Sequence, residues 1–242
     1  MITVSVISHN HGYLIKKIIK QLVNFHQITK IIVTLNVPEK FRYPKSKKIK
    51  LIINKKRVGF GENHNKAFNF CKTRFFLVLN PDIKFINNPF YKLIKKITTT
   101  NSGLIAPLVI NKKGNTEDSF RKFPSFFSIF KKFFFKYTDI YHIKKKNTAE
   151  IYPDWVAGMF MLFESKVFSK IRGFDIKYFL YYEDVDICAR LQMAGEKVCV
   201  NLSTRVIHDA RRDSRKKIFY LFLHIKSFIR FLLTHKFMSF KK

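Results

Sequence analysis

The stretch "FFLVLNPDI", residues 75–83, decides how this chain is to be read. Five apolar residues in a row leave no polar side, which is how a strand buried on both faces of a parallel sheet looks in sequence. The run breaks at Asn80-Pro81 and ends on Asp82, a carboxylate in a chain with 16 Asp and Glu against 47 Lys and Arg. Upstream, residues 2–8 form a similar β-branched run, and residues 13–25 carry apolar positions at helical spacing. Strands are expected near 30–35 and 49–53, and a helix over "GENHNKAFNFC" after Gly59 and Gly61. This alternation predicts an α/β fold with an open, mostly parallel sheet flanked by helices, where ligands bind at the carboxyl ends of the strands. Asp82 stands at one such end.

Beyond it, "NPFYKLIKKITTT" reads as a helix and "GLIAPLVI" as a strand. Residues 123–150 show no clean period and read as a lid or irregular excursion. Order returns with "WVAGMFMLF" as a strand, "ESKVFSKI" as a short helix, and a helix through "YYEDVDICARLQMAG" that stops at Gly195. "KVCVN" and "TRVIH" read as two short strands. From Arg215 the pattern is an amphipathic helix, with Lys217, Tyr220, His224, Ser227, Arg230 and Thr234 on one side and Phe, Leu and Ile on the other. We therefore expect a sheet domain over residues 1–210 and a basic amphipathic tail over 211–242.

The net charge of +31 draws polyanions without choosing among nucleic acid, anionic lipid and nucleotide phosphate, and a drift toward AT-rich codons would produce the same Lys-, Ile-, Phe- and Asn-rich composition. Cys71, Cys188 and Cys199 are an odd count with no C-x-x-C pair, so neither a zinc site nor a disulfide framework is written here, which fits a reducing cytosol. No secretory signal opens the chain and no uncharged run of about 18 residues occurs. RNA-binding and zinc-finger signatures are absent, so nucleic acid is not an expected partner.

A second acidic cluster is Glu183, Asp184 and Asp186, at the expected start of a helix, where unpaired N–H groups favour negative charge. Taken alone, it reads equally as a helix cap. Its setting, "GFDIKYFLYYEDVDICARLQMAGEKV" (173–198), resembles the segment that closes the catalytic domain in family 2 glycosyltransferases, especially their rhamnosyltransferase-like branch. Four other stretches agree in order with that family: "VSVISHN" (4–10), "NKKRVGFGENHNKAF" (54–68), "LVLNPDI" (77–83), and "GLIAPLVINKKGNTEDSFRKFPSF" (103–126) continued by "WVAGMFMLFESKVFSKIRGFD" (155–175).

The resemblance implies the nucleotide-diphospho-sugar transferase (GT-A) fold and a metal-dependent inverting transfer of a sugar, rhamnose in this branch, from a nucleotide donor to a saccharide or lipid-linked acceptor. It implies Asp82 as a ligand of a divalent cation, Mg²⁺ or Mn²⁺, with His208 as a second ligand. Asp184 is implied as the base that takes the acceptor's proton, with Glu183 in support and Asp186 free to hold Arg190 four positions on. Ser8, Asn10, Asn54, Asn80 and the loop from Gly59 through Asn65 are implied nucleotide contacts. Asn36 stands where relatives carry a base-reading Asp, which opens the question of base preference. Trp155, beside Asp154, and Gly158 are implied at the sugar or acceptor pocket, and Arg121 at phosphate or in a surface ion pair.

The basic, aromatic stretches 125–137 and 215–242 suit an anionic membrane surface, and with the family's lipid-linked substrates imply a peripheral protein on the inner face of the cytoplasmic membrane. The tail packing its apolar side on the domain is the competing expectation. The functional alternative is a basic binding protein, for nucleic acid or anionic membrane, on a degenerate transferase fold.

Overall fold

The computed structural model describes residues 1–40, 44–124, 148–208 and 218–235. Most of the expected excursion and part of the tail thus lie outside the described residues. The chain opens β1 (Ile2–Ser8), α1 (Gly12–Leu22), β2 (Ile28–Leu35), β3 (Ile49–Ile53), α2 (Phe60–Phe68), β4 (Phe75–Leu79) and β5 (Ile83–Phe85). It continues through α3 (Phe90–Thr99), β6 (Ser102–Ile110), β7 (Phe120–Arg121), β8 (Glu150–Ile151), β9 (Trp155–Val156) and β10 (Phe160–Glu164). Helices α4 (Ser165–Lys170) and α5 (Glu183–Met193), strand β11 (Lys197–His208) and helix α6 (Ile218–His235) complete it.

The main sheet runs β3-β2-β1-β4-β10-β6-β11-β5, with β8 on β11, and β7 pairs β9 apart from it. Pairing is parallel from β3 to β4 and between β6 and β11, while β10 lies antiparallel between the two parallel blocks. Every residue of β4 is buried: Phe75, Leu77 and Leu79 enter the core under α1 and α3, and Phe76 and Val78 enter the opposite core. That two-sided burial is why the run could carry no polar residue; each such side chain stabilises the fold by about 1.5–3 kcal/mol. In α1 the buried positions Ile15, Ile18, Ile19 and Leu22 follow the helical period.

Two expected elements differ. "WVAGMFMLF" divides at Ala157-Gly158-Met159 into β9 and β10, which join different sheets. "KVCVN" and "TRVIH" are one strand, β11, whose register on β6 shifts between Asn201 and Arg205. The bulge absorbs the polar residues that had looked like a break. Helix α6, at 18 residues with mean hydropathy 1.2, has the length and composition to cross a membrane. The stripe it buries against the domain is mixed: Leu223, Ser227, Phe231 and His235.

His64 shows what the core demands of a buried polar group. It is fully buried, its Nδ1 lies 2.8 Å from Ser5 Oγ, and burial pushes its pKa down to about 3. The unfolded chain protonates this ring near 6.5 and the folded one does not, so its contribution is intact above pH 6.5 and is lost progressively as pH falls toward 3. Urea unfolding between pH 6.5 and 4 is expected to show wild type losing about 1.4 kcal/mol more per pH unit than His64→Gln; equal slopes would mean the ring titrates freely.

Candidate active site

The end of β4 is fixed from two directions. Asn80 N–H donates to Met159 O (2.9 Å), and β5 pairs antiparallel with the end of β11 so that His208 stands opposite Ile83. That register sets His208 Nε2 3.3 Å from Asp82 Oδ2. On the other ring nitrogen, Nδ1 lies 3.7 Å from Glu117 Oε2. Burial alone would lower the His208 pKa, but Asp82 and then Glu117 outweigh it and raise it. Asp82 Oδ1 is buried with no hydrogen-bond partner among the described residues. Among those residues no group of three or more such side chains converges as a metal cage; the pair Asp82 and His208 Nε2, with Glu117 behind, is what the chain itself supplies.

The second acid enters on α5. Tyr181 and Tyr182 precede it, both in the left-handed region (φ 71° and 66°), a conformation that costs a non-glycine residue about 1–3 kcal/mol and persists where the surroundings enforce it. Asp184 Oδ2 accepts from Gly158 N–H (3.0 Å) and Oδ1 from Val185 N–H (2.9 Å). Burial raises the Asp184 pKa against those two bonds. Glu183 is buried, and its Oε2 has no partner among the described residues. Burial first, and the neighbouring Asp184 second, raise its pKa well above the carboxylate range. The pair is therefore unequal: Asp184 has backbone donors that favour its anion, while Glu183 Oε2 has none among the described residues and its burial favours the neutral form. Asp186 is structural, as expected, gripping Arg190 (2.8 Å), and it also meets His235 Nε2 (2.9 Å).

One backbone path joins the two acids. Asp184 hangs on Gly158, the next residue Met159 accepts from Asn80, and Asn80 leads to Asp82. Both therefore sit at the same end of the sheet. A cleft of about 520 Å³ opens there, within the size range of small-ligand sites, lined in part by His9, Asn36, Arg57, Phe60, Asn80, Asp82, Phe179, Tyr181 and Tyr220. Asp184 adjoins the cleft without lining it. Gly158 stands between, and a Cβ there would come 3.3 Å from the Phe60 ring and 3.7 Å from Asp184 Cβ.

Other expected contacts have different work. Ser8 is buried and its Oγ accepts from His11 N–H. Asn10 is exposed with φ 62° beyond β1, off the cleft wall. Asn36 reaches the cleft, but its amide is engaged with Val58 N–H and O and with Asn54. Asn54 also bonds Asn63, and Asn65 grips the backbone of Phe174 through both its N–H₂ and its oxygen. These asparagines hold the loop, and of them Asn36 and Asn63 also line the cleft. Gly59 is buried, and a Cβ there would come 2.8 Å from Phe179 O, so the glycine admits a neighbouring loop in place of a phosphate. Trp155 Nε1–H donates to Lys122 O, and Asp154 accepts from Phe123 N–H, both away from the cleft. Arg121 pairs with Asp118.

Four residues escaped the sequence reading. Arg57 lies on the cleft with its guanidinium 5.3 Å from the Phe179 ring centroid. After burial, Arg57 is the main cause of the lowered His9 pKa. Its only signal was a third cation in "NKKRVGFG". Glu117 sits in a turn-rich connector, the sequence shows Tyr220 only on the polar side of the tail helix, and His235 carries no signal of its own.

Residues 3–167 match the family model for glycosyl transferase family 2. The chain belongs to that family. Of its relatives, rhamnosyltransferase WbbL of Escherichia coli (strain K12) is 28% identical over 99% of this chain and 95% of its own length. N-acetylglucosaminyl-diphospho-decaprenol L-rhamnosyltransferase of Mycobacterium tuberculosis (strain CDC 1551 / Oshkosh) is 26% identical over 74% of this chain and 62% of its own. Two solved structures share the fold. GalNAc-T7 with UDP, GalNAc and Mn²⁺ has a TM-score of 0.70 at 16% identity, over 88% of this chain and 44% of that one. Mannosyltransferase PcManGT from Pyrobaculum calidifontis with GDP-Man and Mn²⁺ has 0.62 at 11%, over 95% and 64%. The chain is thus a rhamnosyltransferase-like family 2 glycosyltransferase with a GT-A fold, and its chemistry is glycosyl transfer from a nucleotide sugar. The reading as a basic binding protein on a degenerate fold gives way to it.

Proposed function

We propose that this glycosyltransferase inverts the anomeric centre, using a divalent cation and transferring a deoxyhexose such as rhamnose to a lipid-linked saccharide in surface polysaccharide synthesis. The observation that carries the reading is the joined pair of acids: Asp82, with Oδ2 facing His208 and Oδ1 buried without a partner among the described residues, and Asp184, suspended from Gly158 beside the same cleft. Asp82 and His208 Nε2 suit Mg²⁺ or Mn²⁺, hard ions that take few protein ligands and leave positions for phosphate. Bound there, the ion supplies Lewis-acid stabilisation of the departing diphosphate. The charge of Glu117 raises the basicity of the His208 ring. Arg57 adds a guanidinium suited to phosphate. Asp184 takes the proton of the attacking hydroxyl, and Glu183, neutral beside it, avoids a second charge at the base.

The relatives named as rhamnosyltransferases, one with a decaprenol-linked acceptor, support the donor class and a membrane-borne acceptor. With them goes a peripheral position on the inner face of the cytoplasmic membrane. Thermal shift against uridine, guanosine and thymidine diphosphate sugars tests the reading: Mn²⁺-dependent stabilisation by at least one is expected, since a ligand of the native state raises its melting temperature. No stabilisation by any would sink it. Arg57→Ala is expected to raise the donor KM by about 10–100-fold with kcat little changed, the value of one charged hydrogen bond to a ground-state phosphate. An unchanged KM would remove Arg57 from the donor site.

A further inference from the structure

Helix α6 buries a stripe of mixed polarity and leaves large apolar residues outside. Its buried positions are Leu223, Ser227, Phe231 and His235, and the polar members of that stripe bond to the domain. Ser227 Oγ donates to Leu180 O (3.0 Å), Arg230 Nη2 to Asp175 Oδ2 (2.9 Å), and His235 Nε2 lies 2.9 Å from Asp186 Oδ1. The outer stripe is apolar: Ile218, Leu221, Phe222, Ile225, Ile229 and Leu233 are 48–87% exposed. In water such exposed apolar surface is unfavourable unless something covers it.

All three inner contacts land on residues 175–186. That segment holds the left-handed Tyr181 and Tyr182, the acids Glu183 and Asp184, and the cleft residues Phe179 to Tyr181. The Tyr182 ring meets His224, Phe228 and Phe231 at 5.2, 5.6 and 5.8 Å between centroids. Tyr220 of the same helix lines the cleft. The element that presents an apolar stripe to the outside is therefore the one that holds the turn aiming the base.

The occupant of the outer stripe is identified by charge. Between Arg215 and Lys242 the chain carries eight Lys or Arg and no Asp or Glu. A second copy would bring two chains of net charge +31 together, whereas an anionic bilayer complements both the apolar stripe and the chain's positive charge. We propose that α6 couples bilayer docking to the active site: seated on anionic lipid it fixes residues 175–186, and off the lipid its hold on them loosens. What that segment does in catalysis rests on the transferase reading; the coupling itself does not.

Hydrogen exchange on the full chain tests this, with vesicles of phosphatidylcholine alone or mixed with phosphatidylglycerol. Phosphatidylglycerol vesicles are expected to slow amide exchange in 218–235 and, together with it, in 178–186 by about tenfold or more. Leu221→Glu/Ile225→Glu should abolish co-sedimentation and both protections. Ser227→Ala/Arg230→Ala should still co-sediment while 178–186 exchanges at its lipid-free rate; if that pair does not fold, Ser227→Ala alone serves. Protection confined to 218–235, faster exchange in 178–186, absence of vesicle binding, or lipid-free dimerisation that protects the outer stripe each overturns the proposal. Nucleotide thermal shift without lipid is read separately, so a failed transferase reading leaves the coupling result standing, and the reverse.

Discussion

Asp184→Asn is expected to lower kcat by about 10²–10⁴-fold, the usual contribution of a positioned base, while leaving donor stabilisation by Mn²⁺ and nucleotide sugar intact. The separation follows from geometry. Asp184 is half-buried and does not line the cleft, so its loss strips no donor contact. The substitution keeps the shape but sets an amide N–H₂ against one of two backbone N–H donors, Gly158 or Val185, and removes the negative charge they favour. The pH profile supplies a second readout. With the Asp184 pKa raised by burial, the acidic limb of kcat should fall at a pH above the ordinary carboxylate range and vanish in Asp184→Asn. Glu183→Gln mimics the neutral form argued for Glu183 and should retain most of kcat. If Asp184→Asn keeps wild-type kcat, or Glu183→Gln abolishes it, the two acids have been assigned the wrong way round.

The fold was legible because burial on both sides of a sheet strand removes large polar residues: β4 shows an unbroken apolar run, and β1 admits only the small Thr3, Ser5 and Ser8. What the sequence could not show is where β10 enters: the four apolar residues Phe160–Phe163 look the same whether they pair parallel or antiparallel. The division of "WVAGMFMLF" was hidden for a related reason. Gly158 reads as a gap for a ligand, yet its visible role is to lend an N–H to Asp184 and to admit the Phe60 ring. The acids were readable because so few occur, and Asp186 and Arg190 because their spacing makes a helical pair. The asparagines misled: Asn54 and Asn65 have the chemistry of ligand contacts, and nothing local distinguishes an amide that binds nucleotide from one that ties two loops together. Only the partners decide, and Asn65 finds its partner 109 residues away. The tail was readable as amphipathic, but the direction in which it packs depends on Leu180, Asp175 and Asp186, which offer it polar partners.

Asp82→Ala should remove transfer almost entirely, by about 10³-fold or more, since Lewis-acid stabilisation of a departing diphosphate is worth several kcal/mol. It should also abolish the Mn²⁺ dependence of nucleotide binding, a readout independent of turnover. The comparison that makes this specific is Glu117→Gln. Glu117 lies 3.7 Å from His208 on the nitrogen opposite Asp82, so it cannot share an ion with that pair; its charge favours the imidazolium and raises the ring's basicity. Losing that charge while keeping the shape is expected to weaken Mn²⁺ affinity by about 10–100-fold, with kcat recovered at saturating Mn²⁺. Asp82→Ala should show no such recovery, because it removes a ligand and not the support of one. Calorimetric titration of Mn²⁺ in the presence of nucleoside diphosphate distinguishes the two. Wild-type turnover by Asp82→Ala in the presence of a chelator would remove the cation from this site altogether, and would leave Arg57 as the charge that meets the leaving group.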